Sequence, residues 1–141
     1  MFNLTVAAFT IDAYEKVYNL WEACDGIALS MADSRPSIQM YLERNPGLSL
    51  IAYDGQTIAG TILCGHDGRR GYIHHLAVRA DYRRQGIGRL LVDRSLEGLQ
   101  ALGIQKCHLF IFHDNTSGIA FWEGIGWTYR QDIGVVSKNI L

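Results

Sequence analysis

The run Tyr72-Ile73-His74-His75-Leu76-Ala77-Val78, then Arg79-Ala80-Asp81-Tyr82, then Arg83-Arg84-Gln85-Gly86-Ile87-Gly88-Arg89, holds the turning point of this 141-residue chain. Its first seven residues are aromatic and apolar enough to read as a strand. Beyond Gly86-Ile87-Gly88 the pattern changes. Val92, Leu96, Leu99 and Leu102 fall at helical spacing, and Gly103 stands where a C′ glycine closes a helix. Lys106 to Phe112 is again β-rich. Strand, helix and strand in this order make a βαβ unit, whose strands are parallel and whose crossover is right-handed.

Upstream the strands run the other way. Leu48 to Tyr53 and Thr57 to Gly65 read as strands joined at Asp54-Gly55, a pair that favours a type I′ hairpin. Asp67-Gly68-Arg69-Arg70-Gly71 then turns the chain into Tyr72, so residues 48–78 are expected to form an antiparallel meander. Ahead of the meander lie a short strand from Phe2 to Val6 and a helix over Ile11 to Ala23, with Tyr14, Val17, Tyr18 and Trp21 at helical spacing. A second helix opens at Asp33-Ser34-Arg35-Pro36 and stops at Asn45-Pro46-Gly47. After the βαβ unit come a short helix from about Asn115 to Gly124 and one or two strands between Trp127 and Leu141. The expected fold class is α/β of the α+β kind: one domain over residues 1–141, with a mixed central sheet and helices on both faces.

Hydrophobic residues make up 48% and charged residues 19%, with 2 prolines, a mixture that buries a core and argues against disorder. The net charge of -1 argues against a surface built over its whole extent to hold nucleic acid or anionic membrane. No apolar run approaches the roughly 20 residues that span a bilayer, and Met1 to Thr10 lacks a basic leader, so the expected setting is cytoplasmic. Cys24, Cys64 and Cys107 are odd in number and widely spaced, which fits reduced, mostly buried thiols rather than a disulfide framework or a zinc knuckle.

Charge is concentrated where the strand meets the helix. Seven of the 13 basic residues lie between Arg69 and Arg94 against only Asp81 and Asp93, so that segment carries +5 and the rest of the chain -6. A strand-to-helix turn exposes free N–H groups at the positive end of a helix dipole, and glycines let a phosphate approach the main chain. Arginine adds permanently charged, forked donors. A dinucleotide fingerprint would need a third glycine where Leu91 stands, and a Walker A loop would need Lys-Ser/Thr where Arg89-Leu90 stand. A phosphate site of another kind remains, alongside the plainer reading of a tight turn with solvated arginines.

Several ordered motifs resemble the GNAT superfamily of N-acetyltransferases. They are His75-Leu76-Ala77-Val78, the approach Tyr82-Arg83, the R-x-x-G-x-G loop, Asn115, and Phe121-Trp122-Glu123-Gly124-Ile125-Gly126-Trp127, which looks like that family's Phe-Tyr-Glu-x-x-Gly-Phe segment. The resemblance covers nearly the whole chain, most strongly Tyr72 to Trp127. It implies an acetyl-CoA cosubstrate lying where the two parallel strands splay into a V, and direct attack of an amine on the thioester. Leu76, Ala77 and Val78 would then face the pantetheine arm. Arg83, Arg84, Gln85, Gly86, Ile87, Gly88 and Arg89 would surround the phosphates, with Asn115 and Trp122 near the CoA arm. Trp122 stands where the family usually has the tyrosine that protonates the leaving thiolate. An indole N–H has no usable acidity near neutral pH, so solvent, Tyr129 or Tyr72 supplies that proton, or catalysis slows.

The resemblance also points to His74 as general base, because several members carry a glutamate or histidine two residues before the position of Leu76. Its reference pKa near about 6.5 leaves a histidine largely neutral at working pH. Strand alternation puts Tyr72 and His74 on one face and Ile73 and His75 on the other, which disfavours a shared metal; a bulge would instead turn His75 to the cleft. No metal is expected, and His66, His108 and His113 receive no role. Residues 12–43 carry -4, which fits a solvated helix face and, beside an acceptor entrance, favours a cationic amine. The expected activity is transfer of an acetyl group to a primary amine, either a small molecule or a protein N-terminus or lysine. A non-catalytic acyl-CoA-binding module is the alternative, and assembly as a homodimer stays open.

Overall fold

Three β-rich runs joined by short turns satisfy their main-chain groups by pairing edge to edge, and this pairing builds the sheet. The computed structural model describes residues 3–141, which divide into two compact units, residues 3–110 and Ile111–Leu141. In the first unit β1 (Leu4–Ala8), β2 (Leu50–Asp54), β3 (Thr57–His66), β4 (Gly71–Val78) and β5 (Cys107–Leu109) form one sheet in the order β1-β2-β3-β4-β5. All neighbours are antiparallel except β4 and β5, which are parallel. Of the expected strand Phe2 to Val6, Phe2 lies outside the described residues, and the ladder runs on to Ala8.

Helix α1 (Tyr14–Ala23) follows a short 3-10 turn at Ile11–Ala13, and α2 (Arg35–Arg44) opens with the Ser34 hydroxyl accepting from Ser37 N–H and proline in its first turn. Val17, Leu20 and Trp21 of α1 and Ile38 of α2 bury against Ile51, Leu63 and Ala77. Helix α3 (Ile87–Ala101) packs elsewhere on the sheet: a Cβ at Gly60 would lie 3.2 Å from both Ile87 and Leu91, and one at Gly71 would lie 2.5 Å from Leu99. Most of β3 is buried from Ile58 to Gly65 because helices cover it on both sides. The expected C′ glycine closes α3, with Gly103 at φ +80 and its N–H on the Gln100 carbonyl, while Ile104 N–H reaches the Leu99 carbonyl.

Three expectations need correction. The β2–β3 turn is Gly55-Gln56, one residue later than Asp54-Gly55, since Asp54 pairs with Thr57. Only Gly55 has a positive φ, +60, whereas type I′ needs two such residues. Strand β5 is three residues long instead of seven. The second unit contains α4 (Thr116–Gly124), capped by the Asn115 side chain, but no strand between Trp127 and Leu141 among the described residues. There Arg130 grips Asp132 two residues on, at 2.8 Å for both Nε and Nη2, and the chain bends at Gln131 and Asp132. β-branched residues make a strand only where a ladder partner accepts them.

Leu91 is fully buried beneath the sheet. Its replacement, Leu91→Ala, is expected to lower unfolding stability by about 2–5 kcal/mol, whereas exposed Glu97→Ala should change it by less than about 0.5 kcal/mol, both read from urea midpoints.

Candidate active site

Strand β4 departs from regular alternation at its centre. Thr61 pairs with Ala77 and Leu63 with His74, so His75 and Leu76 together oppose the single residue Ile62. His75 takes φ +49, a left-handed conformation that costs a side-chain-bearing residue roughly 1–2 kcal/mol. Two contacts hold it there. His75 Nε2 lies 2.7 Å from Asp33 Oδ1, and its ring meets the Trp21 ring edge-on at 4.9 Å. Asp33 is itself buried; its other oxygen accepts from Ser30 N–H at 3.0 Å, which fixes the carboxylate for the imidazole.

The bulge overturns the expectation that the two histidines face opposite ways. His74 sits cross-strand from Leu63 and Ala77 from Thr61, so residues three apart share a face, and His75 also reaches the α1 side through Trp21. No cluster of three or more metal-ligating side chains occurs among the described residues.

His74 lies in a cavity of about 390 Å³ with Tyr41 and Phe110, its ring 6.1 Å from the first and 6.4 Å from the second, and Tyr72 also lines it. Burial pushes the His74 pKa below its ordinary value; nearby His75 lowers it further, and Asp33 works in the opposite direction. A neutral imidazole with a free lone pair is the result at neutral pH. The cysteines contrast with it: burial pushes Cys64 up to about 12 and Cys107 up to about 11, so both are thiols.

The β4–β5 ladder holds only three pairs, ending at Ile73 with Leu109. From His74 to Val78 this edge of β4 has no strand beside it among the described residues. Ala77 is buried in the core, so it can offer only main-chain atoms there; Leu76 is half-buried. At the end of β4 the chain passes through Arg84 at φ +62 and Gly86 at φ +79 before α3 begins. Among the described residues, the N–H groups of Gln85, Gly86, Ile87, Gly88 and Arg89 donate to no protein acceptor. The Ile87 side chain is buried beneath the sheet, leaving its amide as its contribution.

The arginines divide. Arg83 turns back, its Nε donating to the Val78 carbonyl at 3.2 Å, and Arg89 pairs with Asp93 at 3.8 Å. Arg84 has no ion-pair partner among the described residues. Leu76, Ala77, Val78 and residues 83–89 therefore come together along one strand and its loop. Asn115 and Trp122 belong to the second unit. There Asn115 Oδ1 accepts from Gly118 N–H at 3.0 Å as a helix cap, and Trp122 packs edge-on against Trp127 at 4.7 Å and Phe121 at 5.3 Å. Asp33, Tyr41 and Phe110 were not singled out as site residues. The Ser30-x-x-Asp33 spacing was a readable capping box, but nothing in residue order ties Asp33 to His75.

Residues 14–127 match the model of the acetyltransferase (GNAT) family. The chain belongs to that family. This GNAT protein is 30% identical over 138 residues to an acetyltransferase of Sodalis glossinidius, covering 98% of this chain and 96% of that one. Its fold is similar to that of the PaiA N-acetyltransferase of Thermoplasma acidophilum, solved with coenzyme A, at a TM-score of 0.80 and 17% identity over 94% of each chain. It is similar also to a chain of the NatC complex bound to Gag peptide and CoA, with a TM-score of 0.75 and 23% identity over 91% of this chain and 86% of that one. The GNAT assignment makes the protein an acetyltransferase, the enzyme class expected from its motifs.

Removing the Asp33 carboxylate leaves the His75 imidazole and the Ser30 N–H without their acceptor. Asp33→Ala is expected to cost about 1–3 kcal/mol of stability, while exposed Asp81→Ala costs less than about 0.5 kcal/mol, both by urea unfolding.

Proposed function

We propose that this protein moves an acetyl group from acetyl-CoA to a primary amine by direct attack, with His74 as the general base. The carrying observation is the edge of β4 from His74 to Val78, unpaired among the described residues, leading into five consecutive N–H groups, Gln85 to Arg89, that have no acceptor among them. Unpaired amides at a helix N-terminus hold a pyrophosphate well, and a free strand edge suits the amide groups of a pantetheine arm. In this reading Leu76 to Val78 bind that arm, and Arg84 and Arg89 complement the phosphates. Arg83 braces the end of β4 through the Val78 carbonyl. Asn115 and Trp122 keep their proposed places beside the CoA arm.

In the reaction the amine nitrogen bonds to the acetyl carbonyl carbon, and the C–S bond breaks as the tetrahedral intermediate collapses. The amine proton passes to His74, directly or through one water. The thiolate that leaves takes a proton from solvent, since Trp122 has no acid to offer. Of the two tyrosines considered as substitutes, Tyr72 lines the same cavity as His74.

Release of free CoA thiol from acetyl-CoA in the presence of a panel of primary amines tests the activity itself. Gly86→Val places a β-branched residue at φ +79, so we expect CoA affinity by calorimetry to fall at least tenfold with the circular dichroism spectrum retained. Unchanged affinity would refute the phosphate assignment. Protonation of His74 at low pH removes its lone pair. The wild-type kcat/KM should therefore rise with pH through a value below about 6.5, and His74→Ala should lose about 100-fold or more together with that rise. Retention of both by His74→Ala would exclude His74 as the base.

A further inference from the structure

The last pair of the β4–β5 ladder, Ile73 with Leu109, leaves His74 and Phe110 as the first residues of the opening between the strands. Their rings stand 6.4 Å apart across it, with Tyr72 stacked on Phe110 at 6.2 Å and Tyr41 of α2 edge-on to His74 at 6.1 Å. Phe110 remains 64% exposed, although it is a large apolar side chain in the middle of an aromatic group. The rings line an open cavity of about 390 Å³, a size in the range that holds small molecules. It lies toward the opposite end of β4 from the amides of Gln85 to Arg89, so a second substrate would reach His74 from the side that acetyl-CoA leaves free.

From this arrangement we infer that the cavity is the acceptor site and that its substrate is a small primary amine carried on a flat, uncharged aromatic body; the inference rests on the activity proposed above. Aromatic faces stack best on other flat π-systems, and two rings, Tyr41 and Phe110, meet the base, with Tyr72 stacked on Phe110. Charge argues the same way. The two lining residues with fixed charge, Arg44 and Asp67, have opposite signs. Asp67 is kept ionised by the N–H groups of Arg70 and Arg69, both at 2.8 Å on its Oδ1. Burial holds His74 toward its neutral form. The cavity thus offers no excess of carboxylates for a polyamine and no excess of cations for a phosphorylated amine. The -4 charge of residues 12–43 then acts as a solvated surface and does not select the acceptor.

The test is a matched panel of 2-phenylethylamine, tyramine, n-butylamine, spermidine, glucosamine 6-phosphate and a short peptide with a free N-terminus, with CoA release as readout. The two aromatic amines should exceed n-butylamine at least tenfold in kcat/KM. Phe110→Ala should raise KM for them at least fivefold while leaving kcat within about twofold, and should raise KM for n-butylamine by a clearly smaller factor. A panel led by spermidine, the sugar phosphate or the peptide would overturn the inference while leaving amine acetylation intact. Should no amine release CoA, the activity itself fails. Calorimetry of 2-phenylethylamine with the free protein then decides the cavity: binding weakened at least fivefold by Phe110→Ala upholds it, and absent or unaltered binding overturns it.

Discussion

A 2.7 Å hydrogen bond between the buried Asp33 carboxylate and His75 holds the site together. It secures a non-glycine residue at φ +49 in the middle of a strand, a conformation that relaxes unless its surroundings over-determine it. Because His75 and Leu76 oppose one residue of β3, the face pattern of β4 shifts by one beyond the bulge. His74, ahead of the bulge, lines the cavity beside α2 with Tyr72, and the shift beyond it lets Ala77 enter the core with α1. Local strain is offset by hydrogen bonding and ring packing, and its consequence is the geometry of the opening.

The two ends of the same strand offer different chemistry. Toward Val78 the available groups are main-chain amides and a guanidinium, which suit an anion and a polar chain. Toward Tyr72 they are aromatic rings and the His74 imidazole, with Arg44 and Asp67 of opposite charge on the same lining, which suit the uncharged body proposed above. The candidate base stands between, at the first residue beyond the last β4–β5 pair. Short pairing of β5 is therefore as important as the loop: a longer ladder would close the edge that the cosubstrate is proposed to use.

Much of this was legible in residue order. The meander, the parallel βαβ unit, the helix from Ile87 and its closing Gly103 follow from periodicity, turn residues and capping, all of which act over a few neighbours. The +5 segment and the glycine loop were readable for the same reason. Legibility ended where partners are distant. The tail from Trp127 has β-branched residues and no ladder, because strand formation needs a neighbouring edge that local composition does not specify. The hairpin turn shifted by one residue because the ladder, and not the Asp54-Gly55 pair alone, set the register.

Residue order by itself gave the sequence of strands and helices in the first unit, though not the length of β5, and it located the positive charge and the loss of a tyrosine's acidity at Trp122. Tertiary structure alone decided that β4 bulges at His75, that Asp33 is its partner 42 residues away, and that Tyr41, Tyr72 and Phe110 line one cavity with His74. The physical reason is range. Hydrophobic period and turn chemistry are properties of neighbouring residues, whereas a bulge is a balance between local strain and contacts brought in from another element.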